Sequence, residues 1–319
     1  IIIFPTKFKF GPYMPEVDWN FYMYNPFEVI LRQFLFFKKP QIYFKWLYYS
    51  IKTSSLLDFI IGFSLHFEML KRKIEHIHCE FGDHKFFIGF YCSKFLNIPL
   101  TVKIHAHELY TNPNIFLFKK AMADSEVVFT VSDWNKKILI NEYGVSSKKI
   151  VINRQFLDTN DYSPNIIKLD KSLSIPKNKI NILIVAFYEK RKGYDVLLKA
   201  IKKLTDNNIS LWVVGRDDNV PKEERVDPKK LAKELNIYSK VNFFGKVSDN
   251  FLKALYLKCD IFVLPSKSIV GHNKEGIPAS LMEAMAYSKP VISTLHTGIP
   301  EMVEEILVEE DNVKDLAKA

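Results

Sequence analysis

Glu275 and Glu283 stand eight residues apart in the stretch KEGIPASLMEAMA, with Gly276, Ile277 and Pro278 following the first of them. Pro278 suits the first turn of a helix, where its missing N–H costs nothing. That places Glu275 in the loop ahead of the helix and Glu283 about a turn and a half inside it. Carboxylates accept hydrogen bonds in pairs, so two of them flanking one ligand at different depths can read the vicinal hydroxyls of a sugar or ribose. The free amides of such a helix start, with Gly276 allowing close approach, favour an anion or a sugar hydroxyl. Taken alone the spacing is weak, because a solvated loop glutamate and a helical one paired with a lysine produce it by chance.

A second group of charges lies at KRKG, residues 190–193, after the apolar run ILIVAF and before a helical pattern. Arg191 and Lys192 at a helix start form a natural diphosphate cradle. His105 closes the run TVKIH, and His107 and Glu108 follow it. A histidine at a strand end is more often structural than chemical, unless other residues point to a site. His76, His78, His84, His105 and His107, with Glu80, Asp83 and Glu108, raise the question of a metal. Strand alternation, however, puts H-x-H pairs on one face without requiring one. Gly215 and the run Gly245-Lys246-Val247 end two apolar runs and read first as turn geometry.

The elements that must position these residues alternate between β-rich and helical patterns from residue 76 onward, the signature of α/β units around parallel sheets. Strands are expected at 76–79, 101–105, 127–132 and 149–153, with helices near 84–96, 115–123 and 133–143. The polar, proline-punctuated stretch SPNIIKLDKSLSIPKNKIN then marks a linker. A second series follows: strands at 181–187, 210–215, 241–245, 260–264 and 291–294, and helices at 194–204, 228–236, 249–258 and 278–287. The expected domains are 1–165 and 166–319, both doubly wound, with strand ends facing a central cleft. Residues 1–75 are rich in aromatics interleaved with Lys and Arg. They fit one or two amphipathic helices packed on the first domain, or a membrane-surface segment.

The chain of 319 residues carries a formal net charge of +9 with 26 Phe and 15 Tyr, which suits phosphorylated ligands, an anionic membrane surface or nucleic acid. Cys79, Cys92 and Cys259 form no CxxC pair, which points to a reducing, cytoplasmic setting. The apolar run LLDFIIGFSL falls short of the roughly 20 residues a spanning helix needs. The chain opens on Ile1-Ile2-Ile3 without Met and closes on Lys318-Ala319 inside a helical pattern, which predicts a fragment incomplete at both ends.

EGIPASLMEAMAYSKPVISTLHTGIPEMV resembles the signature of the retaining family-4 glycosyltransferases, an E-x7-E motif on a GT-B fold. The flavour is that of bacterial exopolysaccharide and lipopolysaccharide synthesis, with a second Gly-Ile-Pro-Glu at Gly298–Glu301. HIHCEFGD, KIHAHELY, VVFTVSDWNKK and VNFFGKVSDNFLKALYLKCDIFVLPS extend the likeness from about His76 to Val303, with lower specificity. The resemblance implies transfer of a sugar from a nucleotide-diphosphate donor to a glycan or lipid-linked glycan, with retention, no metal and no cofactor, and no nucleic-acid partner. By the same resemblance His105 approaches the donor sugar, and Lys192, with Arg191, holds the diphosphate. Glu275, Gly276, Ile277 and Pro278 orient the sugar, Glu283 holds the ribose, and Gly245, Lys246 and Val247 hold the base. One departure stands out, because Phe187 occupies the position where the family usually carries an arginine. It keeps open a binding homologue with weak or no turnover that acts as a partner protein. An epimerase of the same architecture is a second rival, against which the E-x7-E text argues. Peripheral contact with an anionic membrane at the inner face of the plasma membrane is the further expectation for the leading segment.

Overall fold

A computed structural model describes residues 2–4, 20–22, 25–162, 179–205, 208–218, 220–271 and 274–319. They gather into two units, Ile1–Thr130 with Asn135–Asn153, and Val131–Trp134 with Arg154–Ala319. The boundary expected at 165/166 lies outside the described residues.

In the first unit, β1 (Ile2–Ile3) pairs in parallel with β2 (Asn20–Phe21) as a separate two-stranded ribbon. Three helices follow, α1 (Pro26–Gln33), α2 (Pro40–Lys52) and α3 (Leu56–Lys71), with a 3-10 turn at Phe34–Lys38 between the first two. Pro26 opens α1, and the Asn25 side chain caps it by accepting from the Phe27 amide at 2.9 Å. The unit then alternates: β3 (Ile77–Glu80), α4 (His84–Leu96), β4 (Leu100–Ile104), the single turn α5 (His107–Tyr110), α6 (Ile115–Asp124), β5 (Val127–Thr130), α7 (Asp133–Asn141), whose first two residues count with the second unit, and β6 (Ile150–Ile152). All four strands of this sheet are parallel and lie in chain order. Helix α3 lies close against α4 because Gly62 has no side chain; a Cβ there would stand 2.8 Å from that of Tyr91. The expectation that the leading segment packs on this unit holds for α3, for Tyr43 and Trp46 of α2 and for Val29 of α1, which join its core.

The second unit holds six parallel strands: β7 (Ile180–Val185), β8 (Ile209–Val214), β9 (Val241–Gly245), β10 (Ile261–Leu264), β11 (Val291–Thr294) and β12 (Ile306–Val308). Helices α8 (Tyr194–Lys203), α9 (Pro228–Glu234), α10 (Asp249–Lys258), α11 (Ala279–Ala286) and α12 (Val313–Lys318) connect and cover them. The spatial order is β12-β11-β10-β7-β8-β9, so the winding reverses between β7 and β10. Ligands of open α/β sheets bind beyond the carboxyl ends of the strands at such a reversal. The expected strands and helices from 181 to 294 all appear, whereas β12 extends the sheet where no strand was expected. It is a three-residue edge strand flanked by Glu304, Glu305, Glu309 and Glu310, so it has no apolar run to reveal it. Among the described residues no helix is long and apolar enough to cross a membrane.

His66 is buried on α3, with Nδ1 bonded to the Phe63 carbonyl and its ring stacked 5.0 Å from Phe95. Burial holds its pKa down at about 4 against an ordinary 6.5. The unfolded chain therefore binds this proton first, so the stability conferred by neutral His66 is complete above pH 6.5 and is lost as pH falls to 4. Urea unfolding across that window is expected to show His66→Gln, which cannot titrate, losing about 3 kcal/mol less than the parent.

Candidate functional site

The loop after β7 and the loop after β10 meet at the reversal. The first ends in a 3-10 turn, Lys190–Lys192, and turns into α8 through Gly193, whose φ is +69°. Only glycine fits there, since a Cβ would stand 1.9 Å from the Pro265 carbonyl oxygen. The Lys267 amide donates to the Arg191 carbonyl at 2.8 Å, which joins the two loops through their backbones.

Their side chains form one ion cluster. The Glu275 carboxylate takes both Arg191 Nη1 and Lys192 Nζ, and Arg191 Nη2 reaches Glu189 Oε2 at 2.6 Å. Burial alone would keep a proton on Glu275, yet the charges of Lys192 and Arg191 bring its pKa down to about 2. Its backbone is fixed as well: the amide donates to His296 Nε2 at 3.2 Å and the carbonyl accepts from Thr297 Oγ1 at 2.7 Å. Because Nε2 accepts, Nδ1 carries the imidazole proton and donates it to Glu310 Oε1 at 2.6 Å. Burial keeps the His296 pKa below its ordinary value, in accord with a neutral ring.

Gly276, Ile277 and Pro278 lead from this cluster to α11. Pro278 is the N-cap, at φ −67° and ψ 125°, and the helix starts one residue later than expected, at Ala279. No side chain caps α11. Glu283 lies on that helix but has separate partners. It accepts from Tyr256 Oη at 2.7 Å, and Tyr287 stacks on Tyr256 at 5.5 Å. Burial raises its pKa, against the lowering pull of the tyrosine hydroxyl. The structure thus brings Arg191, Lys192 and Glu275 together and holds Glu283 in a tyrosine setting of its own. Gly245 ends β9, an edge strand separated from β7 by β8, and Lys246 and Val247 follow it. Gly245 has φ +67° with nothing within 4 Å of an added Cβ, so its glycine serves the turn. In the second Gly-Ile-Pro-Glu, Glu301 accepts from the Asp133 and Trp134 amides of the same unit at 2.8 Å each.

Phe187 projects beside a cation that the sequence reading passed over. The Arg216 guanidinium carbon lies 5.8 Å from its ring centre, with Nη1 3.0 Å from Asp218. The Tyr188 amide donates to the Arg216 carbonyl at 2.9 Å, and a Cβ on Gly215 would come 2.0 Å from the Ala186 oxygen. A base directly after the glycine that ends LWVVG was the available signal.

In the first unit, His105 follows β4. Its Nε2 is bonded to Glu80 Oε1 at 2.7 Å, and its ring stacks on Phe81 at 4.6 Å. Burial opposes ionisation of Glu80, but hydrogen bonds with His105 and His78 bring its pKa to about 2. His107 pairs with the buried Glu108 at 3.1 Å, which also accepts the Gly82 amide at 2.9 Å. His76 and His78 both bond Thr101 Oγ1, and His84 bonds Asp58. Among the described residues no three His, Cys, Asp or Glu groups are arranged to hold a metal ion.

The chain resembles a glycosyltransferase from Rickettsia africae ESF-5 with a TM-score of 0.70 at 20% identity, covering 94% of this chain and 73% of that one. It also resembles Anabaena Alr3699/HepE, solved with UDP, with a TM-score of 0.65 at 18% identity, covering 81% and 70%. The fold is GT-B, with two Rossmann-like units. Residues 165–319 match the family described as "Glycosyl transferases group 1". Among curated relatives, WcaL of Escherichia coli K12, which its name assigns to colanic acid biosynthesis as a glycosyltransferase, is 29% identical over 208 residues, 63% of this chain and 48% of its own. The amylovoran biosynthesis glycosyltransferase AmsK of Erwinia amylovora is 28% identical over 190 residues, 59% of this chain and 44% of its own. The chain therefore spans about half the length of both relatives.

Replacing Glu275 tests the cluster directly. Glu275→Gln leaves the buried Lys192 without its counter-charge and Arg191 with Glu189 alone, and a loss of about 3 kcal/mol at neutral pH is expected in chemical denaturation. The sign reverses in acid. A depressed carboxylate pKa contributes stability above its unfolded value of 4.5 that disappears as pH falls toward 2, so the variant is expected to lose less than the parent across that window.

Proposed function

We propose that the protein is a retaining glycosyltransferase that moves a sugar from a nucleotide-diphosphate donor to a glycan or lipid-linked glycan. The observation that carries this reading is the buried Arg191–Glu275–Lys192 cluster at the reversal of the second sheet. The names of WcaL and AmsK, and solved HepE complexes with UDP and with UDP-glucose, support the same class of donor and product.

In this reading the bond between the anomeric carbon and the diphosphate breaks, and the acceptor oxygen bonds that carbon on the same face. The leaving phosphate oxygen takes the acceptor's hydroxyl proton. Lys192 and Arg191 neutralise the charge that develops on the diphosphate. As the diphosphate engages these cations, Glu275 turns its oxygens to the sugar hydroxyls, beside the amides of Gly276 and Ile277. Glu283 holds the ribose by exchanging its Tyr256 bond for the hydroxyls, and the backbone around Lys246 holds the base. His105, oriented by Glu80, serves the substrate side of the first unit. Arg216 supplies, from beside Phe187, part of the charge that an arginine at 187 would give.

Phe187 also favours a second reading, a homologue that binds nucleotide sugars without turnover. Calorimetry with UDP, GDP and their sugars, followed by nucleotide release on adding glycan acceptors, separates the two. Binding with release supports transfer, binding without release supports the second reading, and no binding of any donor rejects both. If transfer occurs, Lys192→Ala is expected to lower kcat about 100-fold, the scale of losing one preorganised charge contact. EDTA is expected to leave the parent rate unchanged, because side-chain cations and the α11 amides balance the diphosphate. Loss of activity in EDTA with recovery in manganese would remove that assignment.

A further inference from the structure

We propose that the outward faces of α1, the following 3-10 turn and α2 dock the first unit onto an anionic lipid bilayer. Helix α1 buries one apolar side chain, Val29, and turns its other apolar residues outward. It is anchored inward by polar groups: Arg32 Nη1 donates to the Ser64 carbonyl at 3.1 Å and Nη2 to Glu68 at 2.6 Å, while Gln33 donates to the Ile60 carbonyl at 3.0 Å. Its apolar stripe points out. Phe27, Ile30, Leu31 and Phe34 recur at the spacing of one helical face, and Phe27 is 75% and Phe34 67% exposed.

Helix α2 continues the surface. Tyr43, Trp46 and Ser50 face the core, and Phe44, Tyr48 and Ile51 form the exposed stripe on another side. Asn114 bonds the Thr53 carbonyl just past the end of α2, so exposed Ile115 and Phe116 adjoin it. Isolated exposed apolar residues are ordinary, but a contiguous surface of this kind marks an interaction site.

Charge selects the occupant. Arg32 is paired inward with Glu28 and Glu68, but from Phe34 to Leu57 the chain has Lys38, Lys39, Lys45 and Lys52 and no acid. Lys38, Lys45 and Lys52 are exposed beside the aromatic stripes. Aromatic and aliphatic side chains that insert at headgroup depth, flanked by lysines that reach back to lipid phosphates, match the interface of a bilayer carrying negative lipids. With no helix here long enough to span, these helices would lie in the interfacial plane.

Flotation of the full chain with phosphatidylcholine vesicles, with and without phosphatidylglycerol, tests this without any nucleotide sugar, so its outcome is separate from that of the transfer reading. Binding is expected with the anionic vesicles, weaker in high salt, and roughly tenfold lower on neutral ones. A Phe34→Ser, Phe37→Ser, Tyr48→Ser triple variant and a Lys38→Glu, Lys45→Glu, Lys52→Glu triple variant are each expected to cut partitioning at least roughly tenfold with an unchanged melting curve. If the serine variant melts early, the glutamate variant, whose three substituted side chains are all exposed, decides. Failure of the parent to float, equal binding of parent and glutamate variant, or a parent dimer in ultracentrifugation that the serine variant dissolves would overturn the proposal, the last by naming a second copy as the occupant.

Discussion

The Arg191–Glu275–Lys192 cluster fixes the geometry of the second unit's ligand edge. Two loops that leave oppositely wound halves of one sheet are joined there by a shared carboxylate and by the bond from the Lys267 amide to the Arg191 carbonyl. Gly193 permits the approach by leaving room for the Pro265 carbonyl. His296 carries the restraint outward, accepting from the Glu275 amide and donating to Glu310, so the acid is held by side chain and backbone together. Lys267 adds an outer pair of ion contacts, to Asp195 at 2.9 Å and Asp311 at 2.7 Å. Buried ion pairs contribute little net stability once desolvation is counted. This cluster lies at the strand-order reversal, beyond whose strand ends ligands of open α/β sheets bind.

The first unit solves a different problem. Its core is assembled mainly by α3 and α4, packed through Gly62, and by four strands in chain order, and α1 gives it one apolar residue, Val29. Arg32 and Gln33 do the inward work there through carbonyls and a carboxylate of α3. Polar anchoring frees the aromatic face from the core, which is the physical reason so much apolar surface on this segment stays outside.

This also explains what was legible in the sequence. Strands such as Val241–Gly245 and Val291–Thr294 and helix Asp249–Lys258 were read at their observed bounds because apolar periodicity and turn residues coincide there. The pairing of Arg191 and Lys192 with one glutamate more than eighty positions away is a long-range contact, and local pattern does not encode it. Arg191 was read as a phosphate contact, and the structure shows it committed to Glu189 and Glu275. Tyr256 was missed for the same reason, since nothing near it in the chain announces a bond to Glu283. In α1 the period was visible but its direction was not: a helical apolar stripe reads as inward unless the polar stripe is seen to have partners.

Register sets Phe187 beside a cation of the neighbouring strand. Strands β7 and β8 are parallel neighbours with Val185 opposite Val214, so positions two residues beyond each end stand side by side. Those positions are Phe187 and Arg216, and the guanidinium lies over the ring. An arginine leaving β7 and an arginine leaving β8 can therefore present charge to nearly the same region, with the aromatic ring acting as a platform that supports the second. The cation beside Phe187 therefore comes from the neighbouring strand end, on a guanidinium whose Nη1 also lies 3.0 Å from Asp218.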